Sequence, residues 1–303
     1  MTNPSTLAPT LAILCSTALW GTLWIPLRRI HETGLSGSSA TTAGFLLPLV
    51  VLLPFALGRW RRGLPGGWSL AVSGFWLALS IALYSQALVC GQVARVILLF
   101  YLTPVWSTLL ARLVLSEPIT GRRVITILLG LAGVLVIFGL GTGVPLPRGA
   151  ADWMGLSSGF AWAVAMVSID RVPSRPLFDR VFVQFVFLGP VFLLVALIPG
   201  AGGSVSLEAR PLLDSAPWLL AFGLVWMLPV IGLTLFGASR LDPGRVAIFL
   251  MLEIVVGLTT AALLAGEPFG LRELVGAALI LGASGAEASA GRPPSAEAVW
   301  GGR

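Results

Sequence analysis

The sequence predicts an all-α integral membrane protein with ten transmembrane helices, arranged as two inverted five-helix repeats. Three observations predict this fold: an apolar composition, continuous apolar runs of about twenty residues, and an internal sequence repeat between the two halves, which we call the echo. Hydrophobic residues make up 56% of the 303 positions and charged residues only 11%, against about 25% charged in soluble domains. Because every backbone group must be satisfied inside a bilayer, such runs form helices or closed barrels, and continuous rather than alternating hydrophobicity favours helices.

Apolar runs bounded by arginine, proline, glycine or acidic residues define the ten predicted helices. They cover residues 8–27, 39–58, 69–89, 92–114, 123–141, 152–169, 180–199, 217–238, 244–265 and 271–288. The first five helices make one predicted repeat, 8–143, and the last five make the second, 150–288. Residues 289–303 are polar and are predicted to be a disordered C-terminal tail.

The echo relates Arg95–Thr120 to Arg245–Gly270, 150 residues further on, with identical residues at eight of the twenty-six aligned positions. Both segments contain Glu-Pro near their ends, at Glu117 and Glu267. With both termini inside, thirteen of the 19 arginines fall in inner segments and six in outer loops, which agrees with the positive-inside rule. The two echoing segments then run in opposite directions, so the repeats are inverted, an arrangement found in secondary transporters.

These motifs resemble the drug/metabolite transporter superfamily, and specifically its two-repeat EamA type. The resemblance rests on Trp20-Gly21, on Leu102-Thr103-Pro104 through Glu117-Pro118, on Leu252-Glu253 through Glu267-Pro268, and on Gly276 and Gly282. It implies ten helices and the export of small organic molecules, aromatic amino acids among them. The second repeat of such proteins commonly reads Leu-Glu-Pro, but Ile254 replaces that proline here, so a helix break at this point is left open.

Glu253 lies near the middle of the ninth predicted helix and has no charged neighbour in the sequence. A carboxylate at mid-membrane is costly, so such residues usually face a cavity and bind or carry something. We therefore expect Glu253 to bind the ammonium group of a substrate or to carry a coupling proton. The alternative is a protonated structural glutamate that hydrogen-bonds another helix.

Pro104 lies in the middle of the fourth predicted helix and is a candidate hinge. Proline removes one backbone hydrogen bond, which leaves the carbonyl of Phe100 without its usual partner. A freed carbonyl and a kink at the bilayer centre suit a substrate site, and the adjacent Thr103 is a predicted binding residue. Plain packing is the alternative, because membrane helices tolerate proline.

Aromatic side chains in the middle of the predicted helices are the remaining candidates for a binding pocket. Tryptophans near helix ends belong to the interfacial belt, whereas mid-helix rings can line a pocket for a flat apolar ligand. The mid-helix set is Trp20, Tyr84, Tyr101, Trp162 and Trp226.

Arg95 and Arg245 begin the fourth and ninth predicted helices at matching positions of the echo. They are either anchors that extend to the membrane surface or part of a gate or carboxylate clamp. Glu117 and Glu267, at the Glu-Pro corners, are expected to fix turns, with Arg122 or Arg272 as pairing partners.

Motifs for other functions are missing or misplaced. The basic residues form no patch for nucleic acid, no metal-binding motif or P-loop is present, and no cofactor is expected. Gly155-Leu156-Ser157-Ser158-Gly159 matches a hydrolase pattern but lies inside a predicted helix with no preceding strand.

The sequence thus predicts a secondary transporter in a bacterial inner membrane, with both termini cytoplasmic, that exports aromatic or neutral amino acids by alternating access. Its expected partners are a small-molecule substrate, membrane lipids and, as the candidate coupling ion, protons. The alternatives are a carrier for other amphipathic solutes or drugs, and a non-transporting membrane protein such as a lipid-modifying enzyme or scaffold. The predicted substrate-binding residues are Trp20, Tyr84, Tyr101, Thr103, Trp162, Trp226 and Glu253.

Overall fold

A computed structural model describes residues 4–35, 37–60, 67–139, 146–170, 176–196, 208–266 and 268–289. Within these ranges every regular element is helical. The α-helices are α1 (Pro4–Gly21), α2 (Trp24–Glu32), α3 (Gly37–Trp60), α4 (Gly67–Cys90), α5 (Val93–Phe100), α6 (Thr103–Val114), α7 (Gly121–Val134), α8 (Ala150–Asp170), α9 (Leu177–Ala196), α10 (Ala209–Asp214), α11 (Ala216–Leu220), α12 (Leu228–Ala238), α13 (Pro243–Leu250), α14 (Leu252–Ala265) and α15 (Leu271–Ala288). Two π-helical stretches, Leu135–Gly139 and Ala221–Met227, extend α7 and join α11 to α12.

The described helices overlap the ten segments predicted from the sequence, apart from the short helix α10, which lies between the seventh and eighth segments. Several of those segments are interrupted. Short breaks divide the first, fourth and ninth predicted helices into α1 and α2, α5 and α6, and α13 and α14. The fifth and eighth predicted helices contain the π-helical stretches. Of the predicted tail, only Ser289 is among the described residues.

Seven stretches of the described chain are long and apolar enough to cross a membrane, which makes this a multi-pass membrane protein. They are Thr6–Glu32, Ser39–Gly58, Trp68–Leu88, Arg95–Val114, Gly121–Phe138, Ala216–Ala238 and Pro243–Ala265. The other three long helices, α8, α9 and α15, are not among these stretches. Ten membrane spans therefore stay a prediction.

The described helices pack around one large core, a smaller one and two minor apolar clusters. In the large core α4 packs against α8 and α9, and α1 packs against α12 and α14. The smaller core contains Leu98, Tyr101, Val134, Ile137, Met251, Ile254 and Ile280. It lies where α5 and α13 end, so apolar packing holds the two helix breaks next to each other.

The α7–α15 pair is antiparallel and shows the 150-residue echo in its contacts. At one end of the pair, Arg122 donates a hydrogen bond to the carbonyl of Ala286. At the other end, Arg272 donates a hydrogen bond to the carbonyl of Val136 at 2.7 Å. Each residue of the second bond lies 150 positions from its counterpart in the first: Arg272 corresponds to Arg122, and Val136 to Ala286. At the crossing a methyl group on Gly133 would lie 2.7 Å from the Gly276 carbonyl oxygen. Glycine lets the two backbones approach this closely. Inversion of the complete halves stays a prediction.

Candidate functional site

Two interrupted helices supply the centre of the site. The first break follows α5 at Tyr101–Leu102, and Pro104 occupies the first turn of α6, where its missing N–H costs nothing. The second break follows α13 at Met251 and needs no proline: the Met251 amide bonds to Ile248, and the Ile254 amide bonds back to Met251. These are tight turns of the 3₁₀ type. The break that the sequence left open therefore exists, and tertiary packing determines it.

Packing at the second break explains why proline is dispensable there. Met251 is fully buried in the smaller core, and its sulfur lies 2.7 Å from the point where a methyl group on Gly130 would be. The glycine in α7 thus provides the space into which the Met251 side chain fits. No local sequence signal marks this arrangement, since it depends on two residues 121 positions apart.

Glu253 follows the second break directly and meets a residue of the first. It lies in the first turn of α14, and the Tyr101 hydroxyl donates a hydrogen bond to its Oε1 atom. Tyr101 is buried. The two breaks thus place a phenol and a carboxylate in contact, one from each half of the echo.

Aromatic rings surround this pair. Phe100 is the centre of the set, with ring centroids 4.4 Å from Tyr84, 5.3 Å from Tyr101 and 6.4 Å from Trp162. Trp20 meets Trp162 edge to face at 6.4 Å. Sequence reasoning missed Phe100, although the echo could have indicated it: Leu250, its counterpart 150 residues later, also lines the cavity described next.

The main cavity has a volume of about 370 Å³ and a mostly apolar wall. Glu253 lines it, as do His31, in the last turn of α2, and Leu35, just after α2. Four predicted binding residues line it: Trp20, Tyr84, Trp162 and Glu253. The remaining lining residues are Leu23, Trp24, Leu27, Ala40, Thr41, Phe45, Ser80, Ile81, Ser85, Leu88, Phe100, Phe222 and Leu250.

A second cavity of about 460 Å³ lies against the same carboxylate. It shares Trp20, Trp24, Tyr84 and Glu253 with the main cavity and adds Tyr101 to its wall. Ile97 and Arg28 also line it. Glu253 is therefore accessible from two spaces, and its tyrosine partner faces the second one.

Thr103 and Pro104 support the first break from behind the cavity wall. Both residues are buried, and neither is among the described residues that line the two cavities. The Thr103 hydroxyl donates to the Phe100 carbonyl at 2.5 Å. The prediction of a free Phe100 carbonyl is therefore wrong, because the neighbouring threonine replaces the bond that proline removes. Substrate contact by Thr103 and a hinge at Pro104 stay predictions.

Trp226 is the predicted aromatic residue that is not among the described lining of either cavity. It lies in the π-helical stretch before α12, where its indole nitrogen donates to the Thr22 hydroxyl at 3.2 Å. By contrast, the indole nitrogens of Trp20 and Trp162 are buried and have no hydrogen-bond partner among the described residues. An unpaired buried donor is unusual and calls for an explanation.

Arg95 and Arg245 are buried and pair with groups inside the protein. Their exposed fractions are only 6% and 5%. Arg95 contacts Asp152 at 2.9 Å and also donates to the carbonyl of Leu146. Arg245 donates to the backbone carbonyl of Glu287 at 3.2 Å. These partners favour the gate or clamp over the anchor, and both roles stay predictions.

The comparisons with known proteins agree with this architecture. An uncharacterized transporter of Archaeoglobus fulgidus is 28% identical over 276 residues, which cover 89% of this chain and 92% of that protein. A solved crystal structure superposes with a TM-score of 0.68 at 21% identity and covers 95% of this chain and 98% of its own, which shows a shared fold. The EamA-like transporter family matches the sequence twice, over residues 8–139 and 149–285. The chain therefore belongs to the EamA-like transporter family and is a membrane transporter.

Proposed function

We propose that the protein is a secondary transporter that exports aromatic or neutral amino acids across a bacterial inner membrane by alternating access. Its ten helices form two inverted five-helix repeats, with both termini in the cytoplasm. The observation that carries the proposal is Glu253: a single carboxylate, held by Tyr101, between two cavities and beside a cluster of aromatic rings. The reciprocal contacts of Arg122 and Arg272 support the inverted arrangement.

The main cavity offers each part of an aromatic amino acid a partner. Its volume lies at the lower end of the ~300–1,000 Å³ typical of small-molecule sites, and rings such as Trp20, Tyr84 and Phe100 suit a flat apolar side chain. The Glu253 carboxylate suits an ammonium group. The indole N–H groups of Trp20 and Trp162, which have no partner among the described residues, are donors that a ligand carboxylate could satisfy if the rings turned toward the cavity.

A second candidate substrate is an organic cation without a carboxylate. Glu253 is the one acidic residue among the described lining of the main cavity, and no arginine belongs to that lining. An aromatic amine would keep the carboxylate contact and the cation–π interactions with the surrounding rings. Inhibition of tryptophan uptake by unlabelled tryptophan or tryptamine in the reconstituted protein separates the two candidate substrates. If tryptamine inhibits as strongly as tryptophan or more strongly, the organic cation is favoured.

Proteoliposomes provide the direct test. Reconstituted protein should take up radiolabelled phenylalanine or tryptophan above the level of empty vesicles, and an imposed pH gradient should accelerate this uptake. Absence of uptake for every aromatic and neutral amino acid tested would refute the substrate class.

Glu253→Gln tests the role of the carboxylate as proton carrier. We expect the variant to lose flux driven by a pH gradient while counterflow persists, because the amide keeps the shape of the site and cannot release a proton. Glu273→Gln is the matched control, since Glu273 lies at the exposed start of α15 and accepts a hydrogen bond from the Gly270 amide. Unchanged gradient-driven flux in Glu253→Gln would exclude proton transfer at this residue.

A further inference from the structure

A buried group of four charged residues lies at the end of the bundle opposite α2. Arg123 contacts both Asp242 and Glu287 at 2.8 Å, and Arg245 lies 3.9 Å from each of the same two carboxylates. Thr126 also donates to Glu287, whose exposed fraction is only 2%. We call Arg123, Asp242, Arg245 and Glu287 the ionic cluster. Its charges balance, which allows it to be buried.

The ionic cluster joins segments from both family matches. Arg123 lies in α7, within the first match, whereas Asp242 and Arg245 lie in the second match and Glu287 just beyond it. Arg123 and Glu287 belong to the α7–α15 pair, which is fastened at both ends by the bonds of Arg122 and Arg272. Asp242 caps the start of α13. The cluster therefore fixes α13 to the α7–α15 pair.

Helix α13 separates the main cavity from this end of the bundle. All eight of its residues are buried, and its last residue, Leu250, lines the cavity. The helix is about 12 Å long at 1.5 Å per residue. A substrate at Glu253 thus has α13 and the ionic cluster on one side and the space lined by Leu27, His31 and Leu35 on the other.

The counterpart helix α5 is packed differently. Val93, at its start, is 52% exposed, and Ile97 lines the second cavity. Arg95 corresponds to Arg245 in the echo, yet it pairs with Asp152 on α8 at 2.9 Å and not with α15. The positions 150 residues before Asp242 and Glu287 are Gln92 and Ile137. The echo therefore repeats the arginine without repeating the cluster.

We infer that the ionic cluster is the closed gate of the transport path, and that α13 must separate from α6, α7 and α15 to open that end. This inference rests on the proposed alternating access. Opening would bring water to all four charges, which can then remain ionised without one another. A cluster of this kind closes one end firmly and still allows a hydrated open state.

Thr108 provides a reporter for the gate. It is buried on α6, and its hydroxyl oxygen lies 2.9 Å from the point where a methyl group on Gly244 of α13 would be. In protein with Cys15→Ala and Cys90→Ala, the substitution Thr108→Cys introduces one thiol at this contact. Reaction with a water-soluble maleimide, followed by mass spectrometry on purified protein in nanodiscs, measures how often α13 leaves α6.

The gate variant is Arg123→Gln with Glu287→Gln, which removes one charge of each sign and leaves Asp242 with Arg245. We expect this pair to raise the labelling rate of Thr108→Cys at least tenfold. Arg122→Gln is the matched control, because Arg122 is the adjacent arginine and bonds to Ala286 and Ser289 outside the cluster. The control should change the rate less than twofold.

Two results would overturn the inference. One is an unchanged labelling rate in the double variant while its circular dichroism spectrum and elution volume match the parent protein. The other is an equal rise in the Arg122→Gln control, which would indicate general loosening. Because labelling needs no substrate, its failure leaves the proposed amino acid transport untouched, and absence of transport leaves the labelling result interpretable.

Discussion

The contact between α8 and the first helix break predicts the effect of a single methyl group. In Gly159→Ala the new Cβ would lie 2.6 Å from the Phe100 carbonyl oxygen and 2.9 Å from the Thr103 hydroxyl oxygen. Carbon–oxygen contacts between packed backbones are about 3.3–3.6 Å. The break must therefore move by about 0.7 Å or more, and it carries Tyr101 and hence the hydrogen bond to Glu253 with it.

The energetic balance can be worked from two opposing terms. Alanine is favoured over glycine inside a helix by about 1 kcal/mol, whereas overpacking a tight contact costs about 1–3 kcal/mol. Gly282→Ala supplies the matched control, since nothing lies within 4 Å of the added methyl group there and only the favourable term applies. The two variants should therefore differ in stability by about 1–3 kcal/mol, with Gly159→Ala the less stable.

Thermal unfolding in detergent checks this difference in stability. At about 2–4 °C per kcal/mol, the melting temperatures of the two variants should differ by several degrees. Isothermal titration with an aromatic amino acid gives the second readout, and Gly159→Ala should bind more weakly than Gly282→Ala. If Gly159→Ala melted as high as Gly282→Ala and bound with the parent affinity, the close approach of α8 to the break would not govern the site.

Two further predictions follow from buried polar contacts. Tyr101→Phe keeps the ring and removes the hydroxyl that donates to Glu253. The affinity for an aromatic amino acid should therefore fall about tenfold, equivalent to about 1.4 kcal/mol. If calorimetry finds the parent affinity, the hydroxyl is dispensable. Arg95→Leu should lower the free energy of unfolding by about 3–5 kcal/mol, because it leaves Asp152 buried without its cation. The double variant Arg95→Leu with Asp152→Leu should recover most of this loss. Unfolding curves in which the double variant is no more stable than the single one would contradict this prediction.

The sequence predicted the helices well and the helix interruptions only partly. Hydropathy identifies a membrane helix because lipid demands a continuous apolar run. The break at Met251 has no such local cause: it depends on Gly130 in another helix, and the proline that would have marked it is Ile254. Tertiary packing of this kind is not visible in one segment.

Among the predicted site residues, the structure brings to the two cavities those whose chemistry is unusual in lipid, and their role in binding stays a prediction. Glu253 and the tyrosines stand out because polar groups at mid-membrane are rare. Trp226 donates a hydrogen bond to Thr22 and is not among the described lining of either cavity, and only its contacts distinguish it from Trp162. Phe100 was missed because phenylalanine is common in membrane helices, and only the echo with Leu250 could have singled it out.

The reciprocal bonds of Arg122 and Arg272 bear on which side of the membrane the empty transporter faces. Because these two bonds are alike at the two ends of the α7–α15 pair, they contribute no preference for one direction of opening in the proposed alternating-access cycle. A preference must come from residues that the echo does not repeat, and Asp242 and Glu287 are such residues. A few substitutions near one end could thus change which side of the membrane the empty protein faces, while the helical frame stays the same.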